Sequence, residues 1–234
     1  MIRNIPNAIS CLNLFCGCLS IVWAFSGRLD LAACWILAAA VFDFFDGFVA
    51  RMLKAYSDLG KQLDSLADVV SFGVAPASIM YNLLLASISQ YEWAYPVGWL
   101  IAFSAYLIAV FSALRLAKFN IDTRQSDSFI GLPTPANAIF ICSLAFISRD
   151  IYINIFFLLA ATIVFSYLLV AELPFFSLKF KSFDWKSNRI RYILGAVSAL
   201  TLSFFQLKGL SIVILLYILL SVISNIKLRR RKNR

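Results

Sequence analysis

Four aspartates stand on two neighbouring stretches of the chain at spacings that would gather their carboxylates. Asp43 and Asp46 follow an uncharged run, residues 31–42, and Asp64 and Asp68 follow a short connection further on. Residues three and four apart share one face of an α-helix, so each stretch would present two acids from one helix. Because the connection is short, we expect the two helices to be neighbours with facing acids.

Small residues accompany both acidic pairs. Gly47 and Ala50 fall on the same helical arc as the first pair, and Gly60 precedes Asp64 by about one helical turn. Such residues leave room for a bulky group to approach the backbone beside the carboxylates.

The residue types around these acids indicate which chemistry they serve. The chain contains no histidine, and carboxylate oxygens without histidine or cysteine suit Mg²⁺ or Mn²⁺. Two divalent cations held by carboxylates are typical of reactions on phosphates, where the ions neutralise charge on the transferred and leaving groups. Without histidine, an aspartate is the natural proton acceptor.

The elements that carry the acids belong to a membrane protein. Of 234 residues, 62% are hydrophobic and only 14% are charged, which is too apolar for an ordinary soluble domain. We predict an all-α integral membrane protein with eight transmembrane helices. The candidate spans are residues 4–27, 31–51, 69–91, 93–114, 128–148, 151–171, 192–207 and 209–226.

The distribution of cations predicts the orientation. With both termini cytoplasmic, only Arg28, Arg149 and Lys208 lie on the opposite side, as the positive-inside rule requires. The acidic pairs then lie at the cytoplasmic mouth. We also expect the basic and aromatic connection at residues 172–191 to lie at the membrane interface, as a helix or an extended ribbon.

Other interpretations of the charges are weaker. The net charge of +9 suggests nucleic-acid binding, but the cations stand at span ends, where they meet lipid head groups, so we expect no nucleic-acid partner. The acids could form salt bridges with Arg51, Lys54 and Lys61. They could also line a cation-coupled transport pathway, although such sites usually lie at the bilayer midplane. A membrane scaffold would not need the acids.

The acids and small residues together resemble a known family. The pattern Asp43-x2-Asp46-Gly47-x2-Ala50-Arg51-x8-Gly60-x3-Asp64-x3-Asp68 is similar to the signature of the CDP-alcohol phosphotransferases, with all eight fixed positions present. The resemblance implies a six-helix membrane core that displaces CMP from a CDP-linked lipid or alcohol, using two divalent cations, Mg²⁺ or Mn²⁺. It also suggests a homodimer.

The resemblance assigns roles to individual residues. The four aspartates would hold the metals, and Asp68 would also be the general base toward the acceptor hydroxyl. The resemblance also implies which residues bind the cytidine nucleotide. They are Asp46, Gly47, Ala50, Arg51, Gly60 and Asp64.

Further segments resemble one branch of the family, the bacterial and archaeal phosphatidylserine synthases. They are "SLADVVSFGVAPA" from Ser65, "SALRLAKFN" from Ser112 and "GLPTPANA" from Gly131. This branch implies CDP-diacylglycerol and L-serine as substrates, in a prokaryotic cell (inner) membrane. Glycerol 3-phosphate or an inositol derivative stays open as acceptor. The resemblance covers most of residues 1–172, the expected core; residues 173–234 would add two helices to the same bundle.

Several polar residues outside the signature are candidates for the acceptor site. Arg115 and Lys118 could bind the serine carboxylate or the lipid phosphate, or could extend to the interface as ordinary span-end cations. Polar residues within spans could line the cavity or could simply hydrogen-bond between helices. These residues are Asn13, Ser71, Thr134 and Asn137.

Overall fold

Helices make up most of the chain. The structure, a computed structural model, describes residues 5–55, 57–92, 97–122, 128–176 and 184–232. The α-helices are α1 (Ile5–Phe25), α2 (Leu29–Met52), α3 (Asp58–Val69), α4 (Ala75–Ile88), α5 (Gly98–Phe103), α6 (Leu107–Ile121), α7 (Thr134–Ile147), α8 (Ile155–Val170), α9 (Trp185–Phe205) and α10 (Leu210–Lys232).

Within the described residues, five continuous helical segments are long and apolar enough to cross a membrane. They are Ile5–Phe25, Leu29–Met52, Asp58–Ile88, Gly98–Ile121 and Asn188–Asn225. The prediction of an all-α integral membrane protein is thus supported. The last segment contains most of α9, a 3₁₀ turn and most of α10. Gly209 in this turn lies against Thr201, so the chain folds back there.

The third segment differs from the predicted span. We expected a span from residue 69, but the helix begins at Asp58, where the Ser57 side chain accepts a hydrogen bond from the Gly60 backbone N–H. A π-helical turn, Val70–Val74, joins α3 to α4. Asp64 and Asp68 therefore lie inside a continuous helix of 31 residues.

The helices α7 and α8 are shorter than the predicted spans 128–148 and 151–171. Helix α7 starts only after Pro133, because proline disfavours a helical conformation in the residue before it. Helix α8 starts after Asn154, whose side chain caps the Phe156 N–H at 2.8 Å. Both shorter helices are apolar.

A two-stranded antiparallel ribbon joins the two longest connections. Strand β1 (Ser128–Ile130) pairs with β2 (Pro174–Phe176), with Ser128 opposite Phe176. Part of the 172–191 connection is therefore extended, whereas residues 177–183 lie outside the described chain. Helix α10 supports the ribbon, since the Tyr217 hydroxyl donates a hydrogen bond to the Phe176 carbonyl at 3.1 Å.

The loops predicted to lie outside the cell meet at one end of the bundle. Asp30, at the start of α2, forms ion pairs with Arg28 and Arg149, each at 3.5 Å. Lys208, between α9 and α10, pairs with Asp150 after α7. Asp43 lies 13 residues further along α2, or about 20 Å at 1.5 Å per residue. The acidic pairs therefore lie at the opposite end from these loops.

Candidate active site

Three of the four aspartates form one tight cluster. Carboxylate oxygens of Asp43, Asp64 and Asp68 all lie within 4.8 Å of one another, with Asp68 buried and the other two half-buried. Helix α2 supplies the first acid and α3 supplies the other two. The acidic faces of α2 and α3 therefore lie against each other, as the spacing of the aspartates predicts.

Asp46 lies at the edge of this cluster. Its side chain is 6% exposed, and its Oδ2 accepts a hydrogen bond from Ser10 Oγ at 2.7 Å. Asp46 and Asp64 also line the same cavity. All four acids thus lie around one site.

Helix α1 holds the acidic faces in place, and sequence reasoning did not assign it this role. It packs against both α2 and α3, contributing Ser10 to Asp46 and Asn13 to Asp68, where Nδ2 lies 3.3 Å from Oδ1. Ser10 was missed altogether. The signal was present: polar or small residues recur along one face of α1 at three- or four-residue steps. They are Asn7, Ser10, Asn13 and Gly17.

The cluster has the donors that divalent cations need. Among the described residues, no lysine or arginine forms an ion pair with the four aspartates. Lys61 instead donates to the Asn120 carbonyl at 3.3 Å, so the salt-bridge interpretation fails for it. Asp64 Oδ1 is buried and has no hydrogen-bond partner within the described chain. Crowded, uncompensated carboxylate oxygens fit hard cations such as Mg²⁺ or Mn²⁺.

A cavity of about 270 Å³ opens beside the acids. It contains every residue that the resemblance assigned to nucleotide binding: Asp46, Gly47, Ala50, Arg51, Gly60 and Asp64. Helix α1, the α2–α3 connection and the first turn of α3 complete its wall with residues that sequence reasoning did not place there. These are Pro6, Asn7, Ser10, Ala55, Ser57 and Lys61.

The two glycines of this cavity differ in what they permit. Among the described residues, a Cβ on Gly47 would meet only Arg51 Nη1, at 3.9 Å, so this side of α2 is open to a ligand. A Cβ on Gly60 would lie 2.9 Å from Asn7 Oδ1 and 3.0 Å from Ser57 Oγ. Gly60 therefore makes room for the protein's own side chains as well as for a ligand.

A second, smaller cavity of about 40 Å³ contains Arg115 and Lys118. Arg115 is 6% exposed, and its Nε has no hydrogen-bond partner in the described chain. Its Nη1 lies 3.5 Å from Thr134 Oγ1, and its guanidinium lies 5.7 Å from the Phe119 ring centre. Arg115 is also close enough to Asp68 for direct electrostatic attraction. None of the four aspartates lines this cavity, so Arg115 is the residue that relates it to Asp68.

Comparison with known proteins decides the family. The family model described as CDP-alcohol phosphatidyltransferase matches residues 3–173. The chain belongs to this family. The prediction from the eight-residue signature is confirmed.

Curated members of the family extend the comparison. A CDP-diacylglycerol--serine O-phosphatidyltransferase of Bacillus subtilis is 34% identical over 171 residues, covering 73% of this chain and 89% of that protein. A protein of the same name from Helicobacter pylori is 40% identical over 139 residues, covering 58% and 54%. An archaetidylserine synthase of Methanothermobacter thermautotrophicus is 37% identical over 141 residues, covering 59% and 56%. The matched part is about half of the last two proteins.

The other residues predicted to line the acceptor site differ from one another in their surroundings. The hydroxyl of Ser71 donates to the Asn13 carbonyl at 2.9 Å, which is a bond between helices. Thr134 is buried beside Arg115. Both polar side-chain atoms of Asn137 are buried without a partner in the described residues. Neither Ser71 nor Asn137 is among the residues that surround the two cavities.

The arrangement fits the chemistry of the family. CDP-alcohol phosphatidyltransferases generally depend on divalent cations, and the acidic cluster supplies ligands for them. The larger cavity includes Asp46 and Asp64, and the charge of Arg115 attracts Asp68. A ligand in the larger cavity can therefore contact two of the four carboxylates.

Proposed function

We propose that this protein is a phosphatidylserine synthase that transfers the phosphatidyl group from CDP-diacylglycerol to L-serine and releases CMP. The observation that carries the proposal is the acidic cluster, which reaches a cavity that contains the signature residues. A second cavity contains a buried arginine whose charge attracts Asp68. The names of the curated relatives support serine as the acceptor.

The larger cavity is the donor site in this proposal. The cytidine nucleotide lies against Gly47, Ala50 and Gly60, where small residues admit it. Arg51 and Lys61, both exposed at this cavity, attract the diphosphate. The acyl chains extend into the bilayer, since the cavity belongs to membrane-spanning helices.

The four aspartates would hold two Mg²⁺ or Mn²⁺ ions, which when bound neutralise the diphosphate and stabilise the departing CMP. Ser10 and Asn13 hold Asp46 and Asp68 in the orientation that such binding needs. This support comes from α1, so the cluster does not depend on loop residues.

Asp68 is the general base. Its carboxylate accepts the proton of the serine hydroxyl while the hydroxyl oxygen attacks the phosphorus of the phosphatidyl group. One P–O bond forms, the P–O bond to CMP breaks, and CMP leaves with the electron pair. The proton passes from Asp68 to solvent before the next turnover.

Arg115 and Lys118 bind the carboxylate of the acceptor serine or the lipid phosphate. Arg115 suits this role because a buried guanidinium with an unfilled donor stabilises an anion strongly. Thr134 orients Arg115, and Asn13 and Ser71 orient the wall next to Asp68.

The cellular setting follows from topology and charge. We place the protein in a prokaryotic inner membrane with eight spans, both termini and the active site cytoplasmic, and a homodimer as the assembly. Residues 1–172 form the catalytic core and 173–234 complete the same bundle. The gathering of Arg28, Arg149 and Lys208 at the end opposite the acids supports this orientation.

A panel of acceptors tests the proposal. Purified protein in nanodiscs receives CDP-diacylglycerol, a divalent cation and labelled serine, glycerol 3-phosphate or inositol, and the lipid product and CMP are measured. Serine should be incorporated and the other two should not. If glycerol 3-phosphate or inositol were incorporated instead, the assignment of serine as the acceptor would be wrong. Solute uptake without CMP release would indicate a transporter.

A further inference from the structure

The smaller cavity contains charges of both signs. Its four charged residues are Arg115, Lys118, Asp122 and Glu172. Its volume of about 40 Å³ has room for about three water molecules, or about 90 Å³ of liquid water, which is close to the volume of a small amino acid. Two cations and two acids in so small a space match a zwitterion better than an anion.

Arg115 marks this cavity as a binding site. Its side chain is 6% exposed and has no ion pair within the described residues, and its Nε lacks a hydrogen-bond partner there. Leaving a buried cation without an anion is costly. Asp68 attracts Arg115 but forms no ion pair with it. An acceptor carboxylate would supply an anion in direct contact and the missing hydrogen bond.

Glu172 occupies a fixed position at the rim of the same cavity. It lies between the end of α8 and the start of β2. Its neighbours are held by backbone hydrogen bonds, from the Gly131 N–H to the Leu173 carbonyl at 3.0 Å and from the Ala171 N–H to the Tyr167 carbonyl at 3.0 Å. Its side chain is exposed and joins no ion pair among residues that the structure describes.

We propose that Glu172, together with Asp122, binds the ammonium group of the acceptor amino acid while Arg115 and Lys118 bind its carboxylate. This inference rests on the proposed function and makes Glu172 a specificity determinant. A polyol or a phosphorylated acceptor offers no cation to these acids. The two carboxylates would therefore repel a phosphate group and would contribute no binding energy for inositol. The amino acid is thereby held at both charged ends near Asp68.

The substitution Glu172→Gln tests this role, because it keeps the side-chain shape and removes the charge. The KM for serine should rise about tenfold, as expected for one charged hydrogen bond at an exposed position. The kcat and the KM for CDP-diacylglycerol should stay within about twofold. Asp122→Asn should shift the serine KM in the same direction.

Two controls separate recognition from a general effect. Glu92→Gln makes the same charge change on an exposed residue outside both cavities and should leave every constant unchanged. The analogue 3-hydroxypropionate has the serine carboxylate and hydroxyl but no ammonium. Wild type should prefer serine strongly over this analogue, and E172Q should lose about tenfold of that preference.

The possible outcomes distinguish this inference from the proposed function. An unchanged serine KM and an unchanged preference in E172Q would overturn the ammonium site while phosphatidylserine synthesis by wild type stands. Wild type that releases CMP with inositol or glycerol 3-phosphate but not with serine would overturn both.

Discussion

Asn13 of α1 donates a hydrogen bond from Nδ2 to Oδ1 of Asp68 in α3 at 3.3 Å. The Asn13 carbonyl in turn accepts a hydrogen bond from Ser71 in the π-helical turn that follows α3. These two bonds fix α1 against the helix that carries the proposed base. Gly17 permits this contact, since a Cβ there would lie 2.8 Å from the Ser71 Cα.

Replacing Asn13 tests whether this contact positions the base. Asn13→Ala should lower kcat about tenfold, as is typical when a supporting hydrogen bond to a catalytic carboxylate is lost. The KM for CDP-diacylglycerol should change less than twofold, because Asn13 is not among the residues of the larger cavity. Steady-state kinetics in nanodiscs measures both constants. A selective rise in the CDP-diacylglycerol KM would contradict a positioning role.

Replacing Asp68 tests the base itself. Asp68→Asn should reduce turnover at least about 100-fold, since a neutral amide cannot accept the hydroxyl proton. Binding of CDP-diacylglycerol should persist, which a fluorescent CDP-lipid can report. Asp58→Asn is the matched control on the same helix, because Asp58 is exposed in its first turn. Full activity of D68N would refute the assignment.

Removing cations tests the metal centre. EDTA should abolish CMP release, and Mg²⁺ or Mn²⁺ should restore it, because the clustered carboxylates repel one another without a counter-charge. Electron paramagnetic resonance of bound Mn²⁺ gives a readout apart from activity, and Asp43→Asn or Asp64→Asn should weaken that binding at least about tenfold. Unchanged CMP release in the presence of EDTA would exclude the proposed metal ions.

The two cavity glycines test the donor site. Gly47→Leu should raise the KM for CDP-diacylglycerol at least about tenfold, because the side chain would enter the larger cavity. Gly60→Ala should also lower thermal stability, since its Cβ would lie 2.9 Å from Asn7 Oδ1. Gly195→Ala on α9 is the control, because no described atom beyond the nearby backbone of α9 lies within 4 Å of its added Cβ. Unchanged donor kinetics in G47L would argue against a donor site here.

The ion pair between Asp150 and Lys208 gives a pH-dependent prediction. The hydrogen bond and the charge of Lys208 lower the pKa of Asp150 below its usual value of 3.8. A lowered carboxylate pKa stabilises the folded state above the usual pKa, and the contribution is lost as the pH falls through the lowered pKa. Lys208→Met should therefore lower the Tm at pH 7 and have less effect near pH 3. Equal effects at both pH values would show that the ion pair is not responsible.

The sequence alone determined the membrane class, the family and the identity of the acidic residues. Apolar runs without charges leave few alternatives to helices in a bilayer. The spacing of Asp43 and Asp46, and of Asp64 and Asp68, fixes a common face on each helix because the helical period is regular. All six residues that the family pattern predicts to bind the nucleotide line one cavity.

Only the tertiary structure decided which other parts of the chain meet these residues. Ser10 bonds to Asp46 although it is far from the acids in sequence, and no local period relates it to the signature. Glu172 likewise joins Arg115 in one cavity from a distant part of the chain. The apolar pattern predicted a span from residue 128, but α7 begins at Thr134. The reasons are Pro133 before the helix and the pairing of Ser128–Ile130 with Pro174–Phe176. Contacts of this kind depend on how helices pack, which hydrophobic pattern alone does not specify.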